Sequence, residues 1–163
     1  MIDGYGTHLP VLFACIASTD GPVIELGCGW YSTPLIHAAT PNRQVLTLDK
    51  DKGWLDKFQY LASERHQIEL VKDWSRPTLV PKLGAVLWSV CLVDCESHGE
   101  RRDALAFVRP RCRYVILHDS EVPEFAPVMG QFRYRLDFKR MTPNTTVFSD
   151  YQPLDQIKEL CGL

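Results

Sequence analysis

Six ionisable residues, Glu25, Asp49, Asp73, Asp94, His118 and Asp119, recur at matching places along the chain. Each closes or closely follows a short apolar run, except Glu25, which lies inside the end of one. Carboxylates and an imidazole gathered at one edge could hold polar ligand groups and move a proton. His118 titrates near neutral pH, and the adjacent Asp119 would raise its basicity, so Asp94, His118 and Asp119 are the candidate proton acceptors. For any one residue, a strand ending where a polar loop begins is an equally good explanation. Six together point to a built site.

The sharpest stretch is Val23-Ile24-Glu25-Leu26-Gly27-Cys28-Gly29, followed by Trp30-Tyr31-Ser32-Thr33. The apolar run over 22–26 predicts a buried strand. Gly27 and Gly29 allow a tight turn and close approach of a ligand to the backbone. A helix starting at Ser32 would then offer unpaired N–H groups. Glu25 is costly to bury unless it is hydrogen-bonded or paired. A second apolar run, 44–48, ends in Asp49, twenty residues beyond Gly29, the usual distance to a ribose-binding carboxylate. Strand, glycine loop, helix, strand and acid together describe a nucleoside-binding βαβ unit.

The motif from Val23 to Gly29 resembles the first motif of the class I S-adenosylmethionine-dependent methyltransferases, which reads apolar-apolar-acidic-apolar-Gly-x-Gly. Dinucleotide dehydrogenases carry a third glycine where this chain has Ser32. The resemblance implies S-adenosylmethionine as cofactor. It implies that Gly27, Cys28, Gly29 and Ser32 form the loop around its methionine end, with Glu25 behind them supporting the loop and the ammonium group. Asp49, with Lys50 beside it, would take the ribose hydroxyls. Asp73 would take the adenine amino group, with Trp74 as a stacking surface. Tyr5 and His8 would form a lid. The implied activity is methyl transfer to a hydroxyl of a small molecule or sugar. A binding module without an acceptor and a nicotinamide-dependent oxidoreductase are the alternatives.

Metal use is not favoured. Catechol-type members of the family bind magnesium through an Asp and an Asp-Asn pair, and the matching residues here are Asp94 and Asp119-Ser120, serine being the weaker ligand. Cys91, Cys95 and His98 lie close in sequence but offer no fourth zinc ligand. Nucleic-acid amino-methyltransferases usually carry an Asn/Asp-Pro-Pro-aromatic motif after the fourth strand; the chain reads Asp94-Cys95-Glu96-Ser97, so a nucleic-acid acceptor is not expected.

The elements that must position these residues alternate. A helix is predicted over 8–18 with Thr7 as its cap, a helix over 33–39, and a helix over 51–65 with Trp54, Leu55, Phe58 and Leu61 as a core stripe. Further strands are predicted over 68–71, 85–93 and 114–117, a helix over 99–108, and a hairpin over 134–139 and 145–148. The stretch 75–84, with two prolines, is predicted as loop, 121–130 as a proline-broken segment, and 153–160 as a final helix. The class is α/β with right-handed crossovers. The resemblance gives it the Rossmann-like methyltransferase layout: a seven-stranded, mostly parallel sheet ordered 3-2-1-4-5-7-6, with helices on both faces and a C-terminal antiparallel hairpin.

The chain of 163 residues suits one domain, 1–163. A net charge of −2 offers no general attraction to nucleic acid or anionic membrane. No run approaches the length of a membrane span, and the N-terminus has no basic region of a signal peptide. Six scattered cysteines without a C-x-x-C pair fit a reducing, cytoplasmic setting. Arg101, Arg102 and the cluster Arg133, Arg135, Lys139 and Arg140 read as solvated surface. The hairpin edge would allow a homodimer.

Overall fold

The computed structural model describes residues 4–163. In chain order the elements are α1 (Leu9–Ala17), β1 (Val23–Leu26), α2 (Ser32–Ala39), β2 (Val45–Asp49), α3 (Lys52–Leu55), β3 (His66–Leu70), α4 (Arg76–Leu83) and β4 (Trp88–Val93). They continue with α5 (His98–Val108), β5 (Cys112–His118), α6 (Ala126–Met129), β6 (Tyr134–Phe138), β7 (Thr145–Ser149) and α7 (Asp155–Leu160). The seven strands form one sheet ordered β3-β2-β1-β4-β5-β7-β6. Strands β1 to β5 pair in parallel, and β7 runs antiparallel to both β5 and β6.

The strands are apolar on both sides because helices cover both faces. The period of two divides them. Ile24, Leu26, Leu46, Leu48, Cys91, Val93, Val115 and Leu117 pack with α4, α5 and α6. Val23, Val45, Val90, Leu92, Tyr114 and Ile116 pack with α1, α2 and α7. This parity puts Glu25, Thr47 and His118 on the second face, and β1–β2 register sets Glu25 directly beside Thr47.

Several sequence expectations are corrected. Residues 76–83 are helical despite Pro77 and Pro81. Pro77 sits in the first turn, where its missing N–H costs nothing, and Pro81 forfeits one bond in a helix anchored by buried Leu79 and Leu83. The predicted helix over 51–65 is only α3 followed by a 3-10 turn, Gln59–Leu61; Asp51 caps α3 by accepting from Trp54 N at 2.9 Å. Thr7 caps nothing: His8 holds the cap position of α1 without a side-chain bond. β4 starts at Trp88, after a turn at Gly84 and Ala85 and two exposed residues, and β5 starts at Cys112.

Strand β6 forms one edge of the sheet, and Arg135 pairs there with Asp137 at 2.7 Å along the strand. Among the described residues no helix is long and apolar enough to cross a membrane.

Gly27 is the tightest point. Its φ is +93°, and a Cβ there would lie 2.6 Å from the Asp94 carbonyl oxygen. Backbone cannot yield as a side-chain tip can, so Gly27→Ala is expected to cost about 3 kcal/mol or more. Urea denaturation of the variant measures this; a loss below about 1 kcal/mol would show that the loop has slack.

Candidate functional site

A cleft of about 890 Å³ opens along the carboxyl ends of β1, β2, β4 and β5. Gly4, Tyr5 and His8 close one side; Cys28 to Ser32 form the glycine loop; Asp49, Asp51 and Trp54 follow β2; Asp94, Glu96 and Arg101 follow β4; His118, Asp119 and Pro143 complete the wall. In an open α/β sheet this crevice at the strand-order reversal is the expected binding position. A second cavity, of about 500 Å³, lies among Gly84 to Leu87, Pro110, Arg111 and Tyr151, away from these residues.

The glycine loop is fixed from below by Glu25. Its side chain is fully buried, and Oε2 accepts from Thr33 at 2.9 Å and from Thr47 at 2.8 Å. Thr33 in turn accepts from Gly29 N at 2.9 Å, which ties the carboxylate to the loop. Oε1 has no partner. Burial pushes the Glu25 carboxyl up to about 7, against the nearby hydroxyls of Ser32, Thr47 and Thr33.

Behind Thr47 runs a directed hydrogen-bond chain. Arg65 Nη2 lies 3.0 Å from His37 Nε2, His37 Nδ1 lies 3.0 Å from His66 Nδ1, and His66 Nε2 lies 2.9 Å from Thr47 Oγ1. A guanidinium only donates, so His37 Nε2 accepts and its Nδ1–H donates to His66. His66 must then donate through Nε2 to Thr47, whose hydroxyl donates to Glu25. Every link has one direction, and both imidazoles are neutral. Burial, with His37 and Arg65 adding to it, brings His66 down to about 4, and His37 is lowered by burial and Arg65.

The far wall carries the other charges. His118 Nδ1 lies 3.1 Å from Asp94 Oδ1 and 3.7 Å from Asp119 Oδ1. Arg101, only 6% exposed, reaches Asp119 Oδ2 at 2.7 Å, Asp94 Oδ1 at 3.2 Å and the Cys95 carbonyl at 2.7 Å. Burial acts to raise Asp94, but the His118 hydrogen bond and the charges of His118 and Arg101 leave its carboxyl below the usual range. Burial acts to lower His118, but Asp94 and Asp119 leave it above its ordinary value. Asp119 itself has φ +55°, a left-handed conformation that Asp tolerates better than most residues and that sets its carboxylate at the strand end.

The structure brings Tyr5, His8, Cys28, Gly29, Ser32, Asp49, Asp94, His118 and Asp119 to the cleft. Asp49 accepts from Cys28 N and from Asp51 N, both at 2.9 Å, which orients it toward the space above the loop. Gly27 and Glu25 lie beneath the loop rather than in the lining. Three other expected residues lie apart from it. Lys50 does not line the cleft; it pairs with Glu100. Asp73 also lies outside it and bonds Ser75 N at 3.0 Å ahead of α4. Trp74 is buried in the core under α4, where its size serves packing.

Sequence reasoning missed four contributors. Trp30 and Trp54 face the cleft, edge to face 5.7 Å apart, and Trp54 Nε1 donates to the Cys28 carbonyl at 2.6 Å. Arg101 is an ion-pair centre and not a solvated residue. Thr7 binds His118 Nε2 at 2.9 Å instead of capping α1. The exposure of Trp30 was not readable from type alone, but a second aromatic beside a glycine loop was the available signal. Among the described residues the one group of His, Cys, Asp or Glu near enough to share an ion is His8, Asp94 and His118. Cys91 and Cys95, considered above for zinc, are free and buried.

No protein-family model matches the chain, and no curated relative matches it significantly. Solved structures do. Human methyltransferase-like protein 13 in complex with SAH superposes with a TM-score of 0.65 at 14% identity, over 96% of this chain and 86% of that one. A Klebsiella pneumoniae protein provisionally described as an O-methyltransferase gives 0.60 at 16% identity, over 93% and 82%. The human METTL16 catalytic domain in complex with a MAT2A 3′UTR hairpin gives 0.61 at 13% identity, over 89% and 69%. At these identities the likeness is one of fold. The chain has the Rossmann-like fold of the class I methyltransferases.

Glu25 and His66 impose opposite pH dependences. Between about pH 4.5 and 7 the folded chain keeps a proton on Glu25 that the unfolded chain releases, so this residue contributes a stability that falls as pH rises. Between about pH 4 and 6.5 the unfolded chain protonates His66 and the folded chain does not, so stability falls as pH drops. Glu25→Gln is therefore expected to steepen the loss of stability on going from pH 6.5 to 4.5, and His66→Gln to flatten it. Denaturant midpoints across that range test this; parallel curves for wild type and both variants would refute it.

Proposed function

We propose that the protein is an S-adenosylmethionine-dependent methyltransferase acting on a hydroxyl of a small molecule. The observation that supports this most is a single cleft joining the glycine loop and Asp49 at one end to the Asp94–His118–Asp119 wall at the other. Two features suit the cofactor. The Glu25 carboxylate holds an unpartnered oxygen behind the loop, where an ammonium group would be balanced directly or through water. Gly29 lines the cleft without a side chain, which leaves the loop backbone open to close approach by a ligand. S-adenosylmethionine, when bound, supplies a methyl group on a sulfonium that one in-line displacement transfers.

In this reading the chain's own residues bind, orient and deprotonate. The loop from Cys28 to Ser32 encloses the methionine end, and Asp49, which already accepts from two backbone N–H groups and from the Cys28 thiol, turns its remaining acceptor capacity toward the ribose hydroxyls. Trp30 and Trp54 exclude water on the outer side. The acceptor oxygen approaches from the Asp94–His118–Asp119 wall, and its proton passes to that group. Arg101 holds both carboxylates in place.

The lining also bears on the acceptor. Asp49, Asp51, Asp94, Glu96 and Asp119 face one guanidinium, Arg101. Such a cleft repels a phosphate backbone, so a neutral or cationic small molecule suits it better than nucleic acid. A second reading, a binding module without turnover, draws on the fact that Thr7 and Asp94 occupy both nitrogens of His118.

Calorimetry with S-adenosylmethionine, S-adenosylhomocysteine and NAD should show binding of the first two alone, weakened about tenfold or more in Asp49→Ala, which loses charge-assisted bonds. Tighter NAD binding, or unchanged affinity in the variant, would overturn the cofactor assignment. Against a panel of hydroxyl acceptors, His118→Ala should lose on the order of 10²–10⁴ in turnover while still binding S-adenosylhomocysteine. Full activity would remove His118 from the reaction.

A further inference from the structure

His8 lines the cleft, and the methyl-transfer reading gives its ring nitrogens no role. Its side chain is 1% exposed, and neither ring nitrogen has a partner among the described residues. Burying an imidazole with both nitrogens unsatisfied costs free energy at two atoms, so the position asks for a ligand. The ring stands edge to face with His118, centroids 4.8 Å apart, and it borders the cleft.

We propose that His8, Asp94 and His118 form a site for a divalent transition-metal ion at the acceptor end of the cleft. One ligand atom from each lies within 4.8 Å of the other two. Two ligands held about 2.1 Å from one ion at tetrahedral or octahedral angles are about 3.0–3.4 Å apart, and His118 Nδ1 is 3.1 Å from Asp94 Oδ1. His8 completes the set by turning its ring inward, which no hydrogen bond opposes.

The surroundings prepare His118 for this task. Thr7 Oγ1 donates to the Pro143 carbonyl at 2.8 Å, so it must accept from His118 Nε2–H at 2.9 Å. That bond keeps Nε2 protonated, so a metal ion that displaces the Nδ1 proton now shared with Asp94 meets the lone pair at Nδ1, and Thr7 serves as the outer partner of the histidine ligand. Arg101 Nη2 sits 3.2 Å from Asp94 Oδ1 and opposes a cation. Its guanidinium is held elsewhere by Asp119 and by the carbonyls of Cys95 and His118. With neutral imidazoles the group comprises two carboxylates and one guanidinium, a net charge of −1 that a dication offsets.

Two imidazoles and one carboxylate favour zinc, cobalt or manganese over magnesium or calcium, which prefer oxygen. Three protein ligands leave positions open toward the cleft. Use of those positions by an acceptor oxygen rests on the methyl-transfer reading; the ion site itself does not.

The test titrates the full chain, freed of metal by chelation, with Co²⁺ and Zn²⁺. The expected result is one ion per chain, a nitrogen–oxygen ligand-field spectrum for Co²⁺, and shifted imidazole resonances of His8 and His118 on adding Zn²⁺. His8→Gln and Asp94→Asn should weaken Co²⁺ binding by on the order of 100-fold, and Thr7→Val by the roughly 10–100-fold of an outer partner. The resonance shifts need no variant, so misfolding of one does not blunt the test. No binding in wild type, unaltered binding in His8→Gln, or thiolate charge-transfer bands from the cysteines would each overturn the site. S-adenosylhomocysteine is titrated separately. Its binding without cobalt overturns the ion site and keeps the methyl-transfer reading; cobalt binding without it does the reverse.

Discussion

A carboxylate sealed from water beneath a glycine loop governs this molecule. Burial of an isolated charge costs several kcal/mol, and Glu25 reduces that cost in two ways. Thr33 and Thr47 donate to one oxygen, and the raised proton affinity lets the group share its charge with a proton near neutrality. The loop's shape follows from these bonds. Gly29 is held through Thr33, Trp54 closes on the Cys28 carbonyl, and Gly27 passes beside β4 at a distance no side chain allows. The Arg65–His37–His66–Thr47 chain gives Thr47 only one way to point its hydroxyl. A polar core network of this kind is stable only when complete, and here the open valence among the described residues is Glu25 Oε1, behind the loop.

The second polar centre sits where β4 and β5 end. Arg101 meets both Asp94 and Asp119, and Asp94 also meets His118, all within hydrogen-bond reach. Arg101 arrives from the first turn of α5, and Thr7 and His8 from the start of α1, so three separated segments are fastened at one point. Removing Arg101 would leave Asp94 and Asp119 without the guanidinium they share, the costly kind of loss. Geometry at this end of the cleft is therefore set by electrostatics, as geometry at the loop is set by Glu25.

Much of this was readable beforehand, for a physical reason. Buried parallel strands must be apolar and must end at polar loops, so Val23 to Asp49 announced its strands, its glycine turn and its carboxylates. The sheet order itself came from the family resemblance. What escaped were features decided by distant contacts. Nothing local distinguishes Arg101 from Arg102, yet one is buried between two aspartates and the other pairs with Asp103 on the surface. Thr7 had the residue type of a helix cap and spends its hydroxyl on Pro143, 136 positions away. Asp73 and Trp74 had the right place after a strand, but α4 forms immediately behind them and draws one into a turn and the other into the core. The prolines that argued against α4 were outweighed by the burial of Leu79 and Leu83.

Under the proposed function the charge of the cleft bears on rate. A lining with five carboxylates and one guanidinium would stabilise a cationic sulfonium before transfer more than the charge-dispersed state during it. Taken alone, that bias would slow the chemistry. It would speed exchange instead, since a neutral thioether product gains less from the same carboxylates and leaves more readily. Rate would then come from alignment, and the fold fixes the two ends of the cleft on neighbouring strands: β1 leads into the loop, β4 into Asp94 and β5 into His118 and Asp119, with β1 and β4 joined through the Asp94 N–H to Leu26 carbonyl bond at 2.9 Å. The loop and the Asp94–His118–Asp119 wall are thus set by three adjacent strands of one sheet.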